Sequence, residues 1–230
     1  FAYGPFRLVC LSGKDSDLDK TDLAALSCID KNRRFQDRDN YNWIKDAKKN
    51  KLVVGTKARI LYQDALGRLK IALKFNQLVR NGEVGPIMLG RDHHDTGGTD
   101  SPFRETANIK DGSNIMAEMA IHVFAGNVCR GMSYVALHNG GGVGIGKSIN
   151  GGFGMVLDGS KRVDDILVQA IPWDVMGGVA RRAWARNENA LVTSIEYNQM
   201  SNDNHITLPY LTDVDYIKDL VKKNYVKGGK

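Results

Sequence analysis

The side chains best suited to chemistry fall in one run, Gly90-Arg91-Asp92-His93-His94-Asp95-Thr96-Gly97-Gly98-Thr99-Asp100-Ser101-Pro102-Phe103-Arg104-Glu105-Thr106. Carboxylates and imidazoles can move protons near neutral pH, and a guanidinium can clamp a carboxylate through two parallel hydrogen bonds. The run follows a short apolar stretch, Pro86 to Leu89, which has the length of a buried strand. In open α/β sheets ligands sit outside the carboxyl ends of strands, so polar residues just beyond such a stretch stand where a site would be built. The alternative is a solvated polar loop. His93 and His94, flanked by Asp92 and Asp95, also invite a metal reading, but neighbouring loop side chains seldom converge on one ion and no cysteine or spaced histidine completes a tetrahedral set. No metal is expected.

A second run, Leu137-His138-Asn139-Gly140-Gly141-Gly142-Val143-Gly144-Ile145-Gly146-Lys147-Ser148, contains Gly141 to Ser148 in the pattern G-x-x-x-x-G-K-S of a phosphate-cradling loop. That motif must open a helix whose N-terminus faces the phosphates. Here Ser148 is followed by Ile149-Asn150-Gly151-Gly152-Phe153-Gly154, and three glycines in six residues oppose a helix, since each costs up to about 1 kcal/mol relative to alanine. A helix after Ser148 would support a nucleotide hydrolase, whereas a loop and then a strand would refute it. What remains is a glycine-rich backbone, with Gly141 and Gly142, that lets a ligand approach main-chain amides closely, with His138 at its mouth.

These runs need elements to hold them. Apolar stretches predict strands at Phe6 to Leu11, Ala58 to Tyr62, Pro86 to Leu89, Gly131 to Leu137 and Phe153 to Leu157. Helices are predicted from Asp22 to Asp30 with Thr21 as cap, over Trp43 to Asn50, and over Ala65 to Val79 with Asn81-Gly82 as the stop. Another is capped by Asp111 or Ser113 and runs to Phe124; further helices cover Val163 to Ile171, Trp173 to Met200 and, weakly, Val214 to Val221. The polar stretch Asn32 to Asn42 reads as loop. Strands alternating with helices predict an α/β fold, a mainly parallel sheet flanked by helices.

At 230 residues the chain can bury one sizeable core, or a large and a small one. The net charge of +6 comes from local clusters such as Lys45, Lys48, Lys49 and Lys51, without the interleaved aromatics of a nucleic-acid surface. Solvated helix faces explain them, and neither nucleic acid nor membrane is an expected partner. Three scattered cysteines, Cys10, Cys28 and Cys129, argue against a disulfide framework and fit a cytoplasmic location. The first residue is Phe1, which reads as the start of a piece of a longer chain.

Taken together, Gly90 to Thr106, Asp111-Gly112-Ser113 and Leu137 to Gly146 resemble the urocanases, the animal-type branch more closely than the bacterial one. Supporting stretches are Tyr3-Gly4-Pro5-Phe6-Arg7, Leu52 to Gly55 with Ala58 to Tyr62, Phe153 to Gly159, and Trp173-Asp174 with Gly178-Val179-Ala180-Arg181-Arg182. The resemblance covers about residues 3 to 200. It implies a urocanate hydratase that adds water to urocanate to give 4-imidazolone-5-propionate in histidine degradation. Tightly held NAD would serve as an electrophile, with no net redox change. It also implies a core domain interrupted by a Rossmann-type NAD domain. On that reading residues 1–50 are the closing edge of the NAD domain and the return to the core, 51–200 the C-terminal part of the core, and 201–230 a polar tail. The N-terminal remainder of the same polypeptide and a second copy in a homodimer are the implied partners, and the fragment alone is expected to be inactive.

The resemblance places the family's late NAD contact, a glycine before Val-x-Arg, on Gly178. A cysteine that bacterial members carry in the first run falls on Thr96, which removes any thiolate route there. By chemistry, Asp92 or Asp95 can stabilise positive charge on the substrate imidazole, His93 or His138 can handle the proton of water, and Arg59, Arg91 or Arg104 can clamp the substrate carboxylate. For each arginine a buried structural ion pair is the alternative. A nucleotide hydrolase acting through Gly141 to Ser148, and a scaffold domain without catalysis, stand as alternative functions.

Overall fold

The computed structural model describes residues 5–52, 56–91, 118–138, 150–202, 204–210 and 212–227. Five strands, β1 (Pro5–Cys10), β2 (Ala58–Tyr62), β3 (Ile87–Arg91), β4 (Tyr134–His138) and β5 (Asn150–Leu157), form one sheet in the order β2-β1-β3-β5-β4. The helices are α1 (Asp15–Cys28), α2 (Phe35–Asp46), α3 (Ala65–Arg80), α4 (Glu118–Cys129), α5 (Lys161–Trp184), α6 (Glu188–Met200) and α7 (Val214–Lys227).

The sheet corrects the expected mainly parallel arrangement, because every described pairing is antiparallel. The alternation of strands and helices is real, and β2, β3 and β4 do run in one direction. They are not neighbours, however. β1 lies between β2 and β3, and β5 between β3 and β4, so each gap that a parallel partner would fill holds a strand of opposite sense. Alternation along the chain fixes the direction of successive strands but not who lies beside whom.

Period-two alternation sets the faces of the sheet. Phe6, Leu8 and Cys10 of β1, Ile87 and Leu89 of β3, and Phe153, Met155 and Leu157 of β5 are buried, with Leu8 paired to Leu89 and Leu89 to Met155 across the sheet. Against this face pack α1, α3 and the first half of α5, supplying Leu18, Ile71, Phe75 and Leu167. The outer edge of β2 is closed by α2, where Asn40 Oδ1 accepts from the Tyr62 backbone N–H at 2.9 Å and Trp43 Nε1 donates to the Ile60 carbonyl at 3.2 Å. These side chains stand in for a missing neighbour strand.

Local chemistry explains the helix boundaries. Asp64 caps α3 by accepting from the Gly67 N–H at 2.8 Å, and Gly82, at φ 69°, ends it in the left-handed region as expected. Ser160 and Asn187 cap α5 and α6 in the same way. Helix α1 begins at Asp15 rather than Asp22, and Thr21 is no cap: it is buried inside the helix, its hydroxyl donating to the Leu18 carbonyl at 2.8 Å. The predicted loop Asn32 to Asn42 is largely helix, since α2 starts at Phe35. Pro172 does not break α5, which runs unbroken for 24 residues. No helix of the described residues is long and apolar enough to cross a membrane.

Candidate functional site

Because β2, β3 and β4 share a direction, their carboxyl ends gather at one end of the sheet. Tyr62 pairs with Pro5, Arg91 with Phe6, and His138 with Asn150 at that end. Strand β3 ends there at Arg91 and β4 at His138. The hairpin of β4 and β5 overhangs. Pairing of β3 with β5 reaches only Gly90 with Gly154, whereas β4 continues along β5 to His138 with Asn150. His138 therefore stands three residues, about 10 Å, farther out along the sheet than Arg91.

Helix α5 returns to the same end. Its start is held beside the far end of α3, where Asn76 Oδ1 accepts from the Gly159 N–H at 2.8 Å and Asn76 Nδ2 donates to Asp164 Oδ1 at 2.7 Å. Its second half packs Val175, Met176 and Val179 against Ala65, the first residue of α3 and three residues past the end of β2. Gly178 is buried on this half of the helix. The backbone thus brings Arg91, His138 and Gly178 to one end of the fold.

Arg59 is the predicted clamp whose side chain is fully accounted for. It lies on the core face of β2, 3% exposed, and its Nε and NH2 donate to both carboxylate oxygens of Asp22 at 2.9 and 2.7 Å. Its third nitrogen, NH1, donates to the Leu52 carbonyl at 2.9 Å. A substrate carboxylate would have to displace Asp22. Burial pushes the Asp22 carboxyl above its ordinary range, opposed by the Arg59 guanidinium. Asp92, His93, Asp95, Thr96, Arg104, Gly141 and Gly142 lie outside the described residues. Among the described residues, no cluster of three or more His, Cys, Asp or Glu side chains could hold a metal ion.

The phosphate-loop alternative fails on its own criterion. Strand β5 begins at Asn150, two residues after Ser148, and pairs antiparallel with β4, so a strand stands where the motif requires a helix.

Sequence reasoning did not weigh Asp174 as a candidate. It is 1% exposed on α5, one helical turn before Gly178 and on the same stripe. The available signal was an acid set among Ile171, Pro172 and Val175 at i−4 from the glycine. Sequence reasoning also missed the polar framework behind this end of the sheet. Arg33 NH1 donates to Asp64 Oδ2 at 2.6 Å, Gln63 Nε2 to Asp37 Oδ1 at 2.9 Å, and buried Arg68 Nε to the Gln63 carbonyl at 2.8 Å. These bonds fix the turn between β2 and α3 against α2.

A family model described as the urocanase C-terminal domain matches residues 1–196. A mouse protein named urocanate hydratase is 48% identical over 217 residues, covering 90% of this chain and 32% of the relative. A Dictyostelium discoideum protein named probable urocanate hydratase is 46% identical over 95% of the chain and 34% of its own length. The human urocanate hydratase is 46% identical over 90% of the chain and 32% of its own length. The chain spans about a third of the length of the curated relatives it matches. With the family model covering most of the chain and identities of this size along nearly all of it, the chain belongs to the urocanase family.

Proposed function

We propose that this chain is the C-terminal part of a urocanate hydratase, which adds water to urocanate to give 4-imidazolone-5-propionate in cytoplasmic histidine degradation. The observation that carries the reading is the 46–48% identity to mouse and human urocanate hydratases over 90% of the chain. The fold supports it, because Arg91 and His138, the last residues of β3 and β4, stand at the same end of the sheet to which α5 returns with Gly178.

In the proposed site, Arg91 and Arg104 clamp the substrate carboxylate. Asp92 and Asp95 stabilise positive charge building on the imidazole, and His93 or His138 takes the proton of the attacking water. Thr96 offers only a hydroxyl, a hydrogen-bonding group and not a covalent nucleophile. Gly141 and Gly142 give the ligand close access to main-chain amides. Arg59 has no place in this clamp, being held by Asp22.

NAD, when bound, supplies the electrophile. The described residues fit it only as an edge contact: Gly178 presents no side chain, and no two neighbouring described strands are parallel, so a dinucleotide-binding β-α-β unit is not among them. The bulk of the cofactor site is assigned to the N-terminal remainder of the polypeptide, in a homodimeric enzyme. The test is the loss of urocanate absorbance in the near ultraviolet, with protein-bound NAD quantified separately, in the full-length enzyme and its Gly178→Trp variant. Turnover in the parent, with both turnover and bound NAD lost in the variant, is the expected result. A folded, NAD-loaded parent that leaves urocanate unchanged would overturn the assignment.

A further inference from the structure

Away from Gly178, helix α5 borders a second cleft of about 410 Å³, walled by the end of α4, by α6 and by the segment 204–207. Trp173, Gly177, Ala180 and Trp184 line it at i, i+4, i+7 and i+11, one stripe of the helix. Gly178 is the next residue round, about 100° away. The cleft is therefore distinct from the face that carries the proposed cofactor contact.

Both indoles are held before any ligand arrives. Trp184 Nε1 donates to the Thr207 carbonyl at 2.9 Å. Trp173 lies under the Arg130 guanidinium, whose centre is 4.1 Å from the ring centroid, and its Nε1 is sealed against α4, where a Cβ on Gly126 would come within 2.1 Å of it. Trp173 thus offers the cleft its ring and not its N–H. Between the two indoles the floor is open, since a Cβ built on Gly177 meets nothing within 4 Å.

The charge of the lining is one-sided. Arg130 and His205 contribute nitrogen, Gln169 and Asn204 contribute amides, and among the described residues no carboxylate lines the cleft. Arg130 NH1 donates to the Gly126 carbonyl at 3.0 Å, but the guanidinium makes no ion pair among the described residues. Aromatic walls, a guanidinium without an ion pair among the described residues and amide donors, in a volume typical of small-molecule sites, form a complementary surface for a flat ring bearing a negative group.

We propose that this cleft is a binding site for a small planar aromatic carboxylate, with the ring between Trp173 and Trp184 and the carboxylate on Arg130. The proposal rests on the lining of the cleft and not on the hydratase assignment. Of the three tryptophans, two line the cleft. In a Trp43→Phe background, the tryptophan emission of these 230 residues comes from the cleft alone.

The test is a titration of the full chain in that background with benzoate, with uncharged benzamide and inorganic phosphate as parallel probes. Saturable quenching by benzoate is expected, with affinity at least about tenfold above that for benzamide or phosphate, because ring and charge act together. Arg130→Ala should weaken benzoate at least about tenfold. Because Arg130 also packs on Trp173, Gly177→Leu serves as the second variant: it fills open floor in a helix and should abolish quenching with its thermal unfolding unimpaired. Equal binding of benzamide and benzoate, equal binding of phosphate, or full benzoate affinity in a folded Gly177→Leu protein would each overturn the proposal.

Discussion

Placing alanine at Gly126 and at Gly177 makes the same chemical change in two helices that differ in surroundings. A Cβ at Gly126 would lie 2.1, 2.4 and 2.6 Å from Nε1, Cε2 and Cζ2 of Trp173, against an ordinary carbon–carbon contact of about 3.5–4.0 Å. Helix α4 must therefore retreat from α5 by about 1 Å or more, or the indole must leave its place beneath Arg130. Overpacking of this kind costs about 1–3 kcal/mol, and an aromatic ring pinned from the other side places the site near the upper figure. Replacing a helical glycine returns up to about 1 kcal/mol, which leaves Gly126→Ala about 2 kcal/mol less stable than the parent. At Gly177 the added methyl meets nothing within 4 Å, so the same change should stabilise by about 0.5–1 kcal/mol. The propensity gain is common to both, so the difference between the variants isolates the steric effect at about 3 kcal/mol. Thermal unfolding followed by circular dichroism reads this as a gap of roughly 6–12 °C in Tm for a chain of this size. In a Trp173→Phe background, which lacks the clashing nitrogen, the penalty at Gly126 should shrink. Two variants that rise in Tm together would refute the contact between α4 and α5.

Two further perturbations address the framework. Removing one partner of the buried Asp22–Arg59 pair, as in Asp22→Ala, leaves a guanidinium in the core face and should cost about 3–5 kcal/mol in urea unfolding, whereas the apolar double variant Asp22→Leu with Arg59→Met should recover most of it; equal losses in single and double variants would contradict the pairing. Asp17 accepts from the Gly85 N–H at 2.9 Å and the Ser12 hydroxyl at 2.7 Å, bonds that hold its carboxyl below the ordinary range, the Gly85 bond most strongly. Its folded pKa is lower than its unfolded one, so its contribution is present above about pH 4 and is lost as pH falls through the folded value. Asp17→Asn should be about 1–2 kcal/mol less stable than the parent at neutral pH and converge with it in acid; a pH-independent gap would show that the charge plays no part.

The elements that sequence made legible are those whose signals are local. Asn81-Gly82 ends α3 with a left-handed stop, and the strands stand where apolar runs of strand length occur. Helix α2 was hidden because its buried residues include Asp37 and Asn40, which bond to Gln63 and the Tyr62 backbone. A polar residue reads as solvent-facing until its partner is known. The continuity of α5 was hidden by Pro172, and the antiparallel sheet by strand order, which depends on contacts 64 to 85 residues apart. Of the site, the position of Arg91 and His138 at strand ends was readable from the apolar runs before them. The engagement of Arg59 was not, because an arginine on a strand does not announce an aspartate on a helix.

The interleaved strand order also sets a schedule for synthesis. Strand β1 emerges first yet lies between β2 and β3, so its second edge waits until residues near 91 have been made. Among the described residues, strand β4 joins the sheet only through β5, the last of the five strands to appear. Until residue 157 has left the ribosome, β3 keeps an open edge and β4 has no partner among the described strands, and an open edge is a template for pairing with another chain. A nascent chain stalled inside the glycine run would thus carry an unguarded edge, and completion of β5 is the event that removes it.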